Sequence, residues 1–374
     1  MRHNFRLFSW LKKKVAGVIR WCQRYGYQKI LAGQKITLPQ DAIVVSYGPV
    51  LGEQLGSGLA LTGGKVKLTY LHERYPHTKE DFNILYLVSS ALSRYSTDIA
   101  HWAKAQGVKV VLNQDGVAYP AWTSDHQRIN SELKNVLNLA DLVIYQSQFC
   151  KETADYFLGV APAIQTVMNN CVDVTTFCQR QKVISRDITL LVAGSHYQRE
   201  RVTIPLHALK ILRDEGVRAR LIIAGPLRWP EADEEIRLFL QEHGLSQCVE
   251  MYGAFSYHDA PSIYTRADIL LHLKYKDPCP NVVIEAMACG LPTIGSNSGG
   301  LPELVGDSGI LLPVVSSWDE MMYPTVANVC EAITELAESL MARQLAARNR
   351  AVVKFSSDRW LTKHDKWFQR LLES

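Results

Sequence analysis

The chain has 374 residues, 47% hydrophobic and 21% charged, which describes a soluble globular protein too long for one ordinary core and suited to two domains. Eight scattered cysteines include no Cys-x2-Cys pair, which argues against a zinc site or a disulfide framework and for a reducing cytosol. No apolar run reaches the ~20 residues that span a bilayer; the net charge of +4 is concentrated in residues 1–40, which hold nine Lys or Arg and no acid, so the basic character belongs to that segment and not to the body, and no nucleic-acid partner is expected.

In residues 5–24 the side chains Phe8, Leu11, Val15, Val18, Ile19 and Cys22 recur at helical spacing, with Lys12, Lys13, Arg20 and Arg24 on much of the other side. Two readings are open: an amphipathic helix on an anionic membrane surface through residues 1–38, or a helix docked on the protein's own body with a solvated basic face. The lysines that break its apolar core, and the lack of a small-residue cleavage site, argue against a secretory signal.

From residue 41 strands and helices alternate. Ala42 to Tyr47 reads as a buried strand, and residues 48–62 as a glycine-punctuated loop. Gly63-Gly64 opens a helix to about His72. Strands follow at Phe82 to Val88, Val108 to Leu112, Leu142 to Tyr145 and Ile164 to Met168, with helices over 96–106, 127–138 and 148–158. Residues 171–187 are mixed and polar and read as an interdomain linker. The pattern then restarts, with strands at Ile188 to Val192, Arg220 to Ala224, Val249 to Tyr252, Ile269 to Leu273 and Thr293 to Gly295. Helices over 203–214, 231–243, 258–266 and 281–290 lie between them, and helices near 324–346 and 357–372 finish the chain. Apolar strands separated by helices predict parallel sheets covered on both faces. The expected organisation is a basic segment at 1–40, a first domain over 41–175, a second over 186–355, and a final helix at 356–374 returning to the first domain.

Ligands in such sheets sit at the carboxyl ends of the strands, which directs attention to the loops 48–64, 113–120, 194–201, 253–257, 274–281 and 295–303. Between Asp268 and Glu303 a strand, a charged loop and a short helix ended by Gly290 and Pro292 make an anion-friendly helix terminus flanked by Asp277 and Glu285. Carboxylates there suit sugar hydroxyls, which donate to them. Arg199 and Arg201 can clamp a diphosphate or form a solvated cluster at a helix start. Lys274 and Lys276 beside Asp277 read either as phosphate ligands or as a surface pair. His196 is a lone loop histidine, and Gly253 opens the loop 253–257 after the strand Val249 to Tyr252. Gly63 and Gly64 permit close backbone approach to a ligand. No dinucleotide fingerprint or phosphate loop of the Gly-x4-Gly-Lys type is present, and no Asp-x-Asp pair stands out to hold a metal, so basic residues and helix ends are expected to neutralise a diphosphate.

Glu285-Ala286-Met287-Ala288-Cys289-Gly290-Leu291-Pro292, followed by Gly299-Gly300-Leu301-Pro302-Glu303, resembles the retaining glycosyltransferases of family four. Gly63-Gly64, the stretch Ala140 to Ser147, and Asn170-Cys171-Val172-Asp173 with Phe177 are similar to further family elements. The Glu-x7-Glu pair of that family is here Asp277 and Glu285. Its Arg-x4-Lys aligns on Ser195 and Glu200, leaving Arg199 and Arg201 as substitutes, and its His-Gly is Asp115-Gly116. The resemblance implies the α/β GT-B fold: two doubly wound Rossmann-like domains facing a central cleft. It implies a nucleotide-sugar donor, UDP- or GDP-linked, and a saccharide or lipid-linked acceptor in cell-surface polysaccharide or glycolipid synthesis, with no further cofactor. It also implies that Glu285 meets the ribose, that Asp277 with Cys279, Pro280, Asn281 and Val282 holds the donor sugar, that His196, Arg199, Arg201, Gly253 and Lys274 lie around the nucleotide, and that Asp115 sits near the reacting sugar. Other enzymes of this fold, epimerases and phosphorylases, and a non-catalytic binding protein are the alternatives.

Overall fold

A computed structural model describes residues 24–26, 28–57, 65–179 and 187–373. The basic stretch read as amphipathic, apart from Arg24, and the Gly63-Gly64 pair lie outside the described residues, as does 180–186 of the expected linker.

The first domain runs β1 (Val45–Ser46), α1 (Pro49–Gly56), α2 (Lys67–Arg74), β2 (Ile84–Val88), α3 (Ser96–Ala105), β3 (Lys109–Gln114), α4 (His126–Leu137), β4 (Leu142–Tyr145), α5 (Gln148–Phe157) and β5 (Ile164–Val167). Its five strands are parallel in the order β1-β2-β3-β4-β5. The strands β2 and β4 are fully buried, as parallel strands between two helix layers must be. The stretch read as a glycine-punctuated loop holds α1, because Pro49 stands in its first turn, where a preset φ suits a helix start.

The second domain runs β6 (Ile188–Ala193), α6 (Glu200–Asp214), β7 (Ala219–Ala224), α7 (Ala232–Glu242), β8 (Val249–Gly253), α8 (Ala260–Tyr264), β9 (Ile269–His272), α9 (Asn281–Ala288), β10 (Thr293–Ser296), α10 (Leu301–Val305), β11 (Ile310–Leu312), α11 (Val326–Glu338), α12 (Leu340–Phe355) and α13 (Ser357–Leu372). The sheet order is β11-β10-β9-β6-β7-β8, all parallel. The chain therefore leaves β6 in one direction through β7 and β8, then returns to its other side with β9. That reversal is a topological switch point, and it opens a crevice at the carboxyl ends of β6 and β9.

Helix α13 packs in the first domain: Trp360, Phe368 and Leu371 join a core containing Val45, Leu68, Tyr86 and Ile144. The chain crosses between domains at two adjacent points. Val172 donates its amide to Phe355 at 2.9 Å, and Ser357 donates to Val172 at 2.9 Å.

Candidate active site

The carboxyl ends of the two sheets face each other across a cleft of about 1010 Å³. From the second domain it is lined by Gly194, Ser195, Arg201, His272, Lys274, Asp277, Asn281, Val282 and Glu285, and from the first by Ser89, Asp115, Gly116, Tyr119, Phe149 and Asn170. The domains touch closely here. A Cβ on Gly116 would meet Pro278 Cγ at 2.6 Å, and one on Gly300 would meet Ser147 Oγ at 2.9 Å as well as the Pro278 carbonyl. The Gly299-Gly300 pair thus lets β10 turn beneath the Asp277 loop, with Gly299 in the left-handed region at φ +67.

Glu285 lies on the cleft side of α9, 7% exposed, and accepts a hydrogen bond from Tyr264 Oη at 2.8 Å. Burial pushes its carboxyl up to about 7, against the opposing pull of Tyr264. Asp277 has the opposite environment. Its burial would raise its pKa, but the charge of Lys274 and the hydrogen bond from His272 hold it well below the usual carboxylate range. Both partners reach Oδ2, each at 3.1 Å. The preceding Lys276 sits in the left-handed region at φ 48, its amide held by Ser298 Oγ at 3.0 Å, and its ammonium lies 3.3 Å from the centre of the Trp318 ring. This turn aims Asp277 back toward β9.

Arg201 is 5% exposed and enters the cleft from the first turn of α6. Nη1 donates to the Ser195 carbonyl at 2.9 Å and Nη2 to the Ala193 carbonyl at 3.4 Å, while Nε is buried without a partner among the described residues. The guanidinium is fixed at the end of β6, with donor capacity to spare for an anion. Asp115 follows β3. Its backbone amide donates to the Ser89 hydroxyl oxygen at 2.9 Å, and its carboxylate accepts from the same hydroxyl.

Three expected ligands are placed elsewhere. Arg199 stands outside the cleft, 58% exposed at its side chain, and pairs with Glu235 of α7 at 2.5 Å. His196 is fully buried; its Nε2 lies 3.1 Å from the Ala224 carbonyl, and burial pushes it down to about 4, so it is a neutral packing residue between β6 and β7. Gly253 closes β8 with φ +72 and does not line the cleft, although Ala254 and Phe255 do. Cys279 and Pro280 lead into α9 and line the cleft with Asn281 and Val282; burial pushes the Cys279 thiol up to about 12, so it is inert.

Residues that the sequence did not single out complete the site. Tyr264 and Tyr257 flank Glu285, and Tyr257 meets Tyr70 of the first domain through their hydroxyls. Trp318 comes from the segment after β11. It packs on Tyr119, Phe149, Tyr156 and Phe157 of the first domain, and its carbonyl accepts from the Ala121 amide at 2.8 Å. No periodic signal marks such a residue, because it lies in a loop and its partners are distant in sequence.

Residues 175–322 match the family described as glycosyl transferases group 1. Over 279 residues the chain is 24% identical to one subunit of the human phosphatidylinositol N-acetylglucosaminyltransferase, covering 73% of this chain and 54% of that protein. It is 24% identical over 309 residues to the N-acetyl-alpha-D-glucosaminyl L-malate synthase of Bacillus anthracis, 79% of this chain and 76% of that one. A match to the putative colanic acid biosynthesis glycosyltransferase WcaL of Salmonella typhimurium is 26% identical and spans 42% of this chain and 40% of that protein. The chain thus spans about half the length of the human relative. Among solved structures, Anabaena HepE in complex with UDP and glucose superposes with a TM-score of 0.62 at 17% identity, covering 87% of this chain and 85% of that one. A Rickettsia africae glycosyltransferase gives 0.65 at 16% identity, covering 89% and 90%.

Proposed function

We propose, for a chain whose second domain belongs to the group 1 glycosyltransferases and whose two domains form a GT-B fold, that it moves a sugar from a nucleotide-sugar donor to a saccharide or lipid-linked acceptor. The observation that carries this reading is the convergence of Glu285, Asp277 and Arg201 at the switch point between β6 and β9. A carboxylate on α9 accepts hydrogen bonds from the two ribose hydroxyls. Asp277, with Oδ2 held by His272 and Lys274, turns its remaining acceptor capacity to the sugar hydroxyls. Arg201 and Lys274 face the diphosphate, whose charge grows as the glycosidic bond breaks, so fixed cations lower the barrier.

Transfer proceeds with retention in this reading. The leaving phosphate oxygen takes the acceptor's proton on the face from which it departs, and the domains exclude the water that would hydrolyse the donor. The first-domain wall suits the acceptor. Tyr119, Trp122, Ile129 and Phe149, joined by Trp318 and Met321, make it largely apolar and aromatic, which favours an acceptor with a lipid portion over a wholly polar glycan. A cytoplasmic enzyme held peripherally at an anionic membrane through the basic residues before Arg24 would meet such an acceptor; beyond them the segment is docked on the first domain, with Arg24 paired to Asp98 at 2.8 Å and Leu31 in the core.

A thermal-shift panel of UDP, GDP and ADP tests the donor half. One base stabilises the protein, by about 2.7 kcal/mol at a hundred times its dissociation constant, and Glu285→Gln reduces the effect. A folded protein that responds to none of the three, with or without an attached sugar, would overturn the reading.

A further inference from the structure

Lys67, at the start of α2, is fully buried. Its Nζ donates to Asn170 Oδ1 at 2.8 Å, and no carboxylate among the described residues pairs with it. Isolated buried ammonium groups are costly, so this one needs a reason to be there. The side-chain NH2 of Asn170, itself 2% exposed, faces three acceptors: Gln146 Oε1 at 3.0 Å, the Cys279 carbonyl at 3.0 Å and Asn281 Oδ1 at 2.8 Å. Lys67 and Asn170 belong to the first domain. Cys279 and Asn281 belong to the second and line the cleft at the N-terminus of α9.

The chemistry gives the relay a direction. An ammonium has donors only, so the atom of Asn170 that meets it must be the oxygen. The NH2 end is then forced toward Gln146, Cys279 and Asn281. Two N–H groups serve three acceptors, and Asn281, addressed through its oxygen, has its own NH2 turned away from Asn170. A neutral side chain at position 67 would not dictate that orientation.

We propose that Lys67 is a positioning residue for the transfer: through Asn170 it fixes Asn281 and the 279–281 backbone of the opposite domain in the orientation that holds the donor sugar. This rests on the reading of the cleft as a nucleotide-sugar site. The groups facing Lys67 are Asp115, Cys150, Cys171 and Cys279, with His364 across from α13. Burial outweighs Asp115 and pushes the ammonium down to about 8. Once deprotonated, its nitrogen can accept, and the relay loses its direction as pH rises.

The test is Lys67→Met, with Lys67→Arg as the conservative variant. For the methionine variant kcat/KM for the nucleotide sugar falls tenfold or more, as loss of one charge-assisted hydrogen bond does. The dissociation constant of the free nucleoside diphosphate stays within twofold. Its melting temperature is unchanged or higher, since an unpaired buried charge has been removed. The wild type is expected to lose activity as pH rises through about 8; the methionine variant shows no such limb, and the arginine variant restores part of the rate and moves the limb upward. Equal weakening of nucleotide and nucleotide-sugar binding with a lower melting temperature means a structural role and overturns the proposal, as does wild-type kcat/KM with an intact basic limb. Amide exchange in the unliganded protein decides independently. Faster exchange at 279–282 in Lys67→Met, with the strands of the second sheet unchanged, supports the relay even if no nucleotide binds to the wild type, a result that would sink the donor reading alone. Unchanged exchange at 279–282 overturns the relay.

Discussion

Asp277 and Glu285 are separated by seven residues, line one cleft, and are held in opposite protonation tendencies. Asp277 keeps its charge through Lys274 and His272. Glu285, buried and hydrogen-bonded by the Tyr264 hydroxyl, is pushed up to about 7. Such a split assigns different work to each carboxyl. If the ionised Glu285 is the form that accepts the ribose hydroxyls, nucleotide affinity strengthens as pH rises from 6 to 8, and binding at pH 6 releases a proton. Stability moves the other way. A folded-state value raised above the ordinary 4.5 means that this group's contribution is fully present below about 4.5 and is lost as pH rises through about 7. Glu285→Gln flattens both dependences. Calorimetry in buffers of different ionisation enthalpy checks the proton release, and an affinity flat between pH 6 and 8 would remove the ribose role. The arginines show what sequence could and could not say at this scale. Arg199 and Arg201 look equivalent as a pair flanking Glu200. The helix turns by roughly 200° over two residues, so only one of them can face the cleft. The packing of α6 against β6 selects Arg201 and leaves Arg199 to Glu235.

The elements that frame the cleft are locked across the domains at their ends. Glu303, in the first turn of α10, reaches the start of α5 in the other domain: Oε2 accepts from the Gln148 amide at 2.8 Å and Oε1 from the Phe149 amide at 2.9 Å. Ser147 caps α5 from within by accepting from the Cys150 amide, and donates its hydroxyl to the Pro278 carbonyl at 2.8 Å. A carboxylate at a helix N-terminus satisfies amides that the helix leaves open and complements its dipole. Glu303→Ala should therefore cost about 1 kcal/mol of the closed arrangement, near the usual value of a lost cap. That is roughly a fivefold shift toward open forms. Small-angle scattering would register a larger radius of gyration, reversed by donor nucleotide; an unchanged radius would show that closure does not depend on this contact. Much of this architecture was legible. The α9 segment could be read because Gly290 and Pro292 punctuate it, and the buried strands because their apolar runs are continuous. The strand β11, only three residues long, and α1, hidden behind Gly48 and Pro49, carry too short a pattern. Glu303 was visible in the Gly-Gly-Leu-Pro-Glu motif, but its partner lies 154 residues away in sequence, and no local spacing reports that.

At the scale of the whole molecule the two domains are not independent beads, because the last helix of the chain completes the first domain. Trp360, Phe368 and Leu371 fill the face of the first sheet beside Tyr86 and Leu68, Tyr75 donates to Asp365 at 2.6 Å, and Tyr86 Oη lies 3.1 Å from His364 Nε2. The crossings at Val172 and Ser356 sit side by side, so both connections between the domains pass through one place. This arrangement makes a prediction that separates the halves. Phe368→Ala removes a fully buried ring from the first domain's core, a change that typically costs about 3–5 kcal/mol, a large part of a domain's marginal stability. The second domain's two hydrophobic clusters contain no residue of α13. Thermal unfolding of the variant should therefore split, with an early transition for the first domain and a later one for the second. If the donor nucleotide is held mainly by Arg201, Asp277 and Glu285, adding it raises the later transition and moves the early one little. A shift confined to the early transition would place nucleotide recognition in the first domain. A single unsplit transition would mean that the interdomain contacts at Glu303, Asn170 and Trp318 are strong enough to make both domains unfold as one unit.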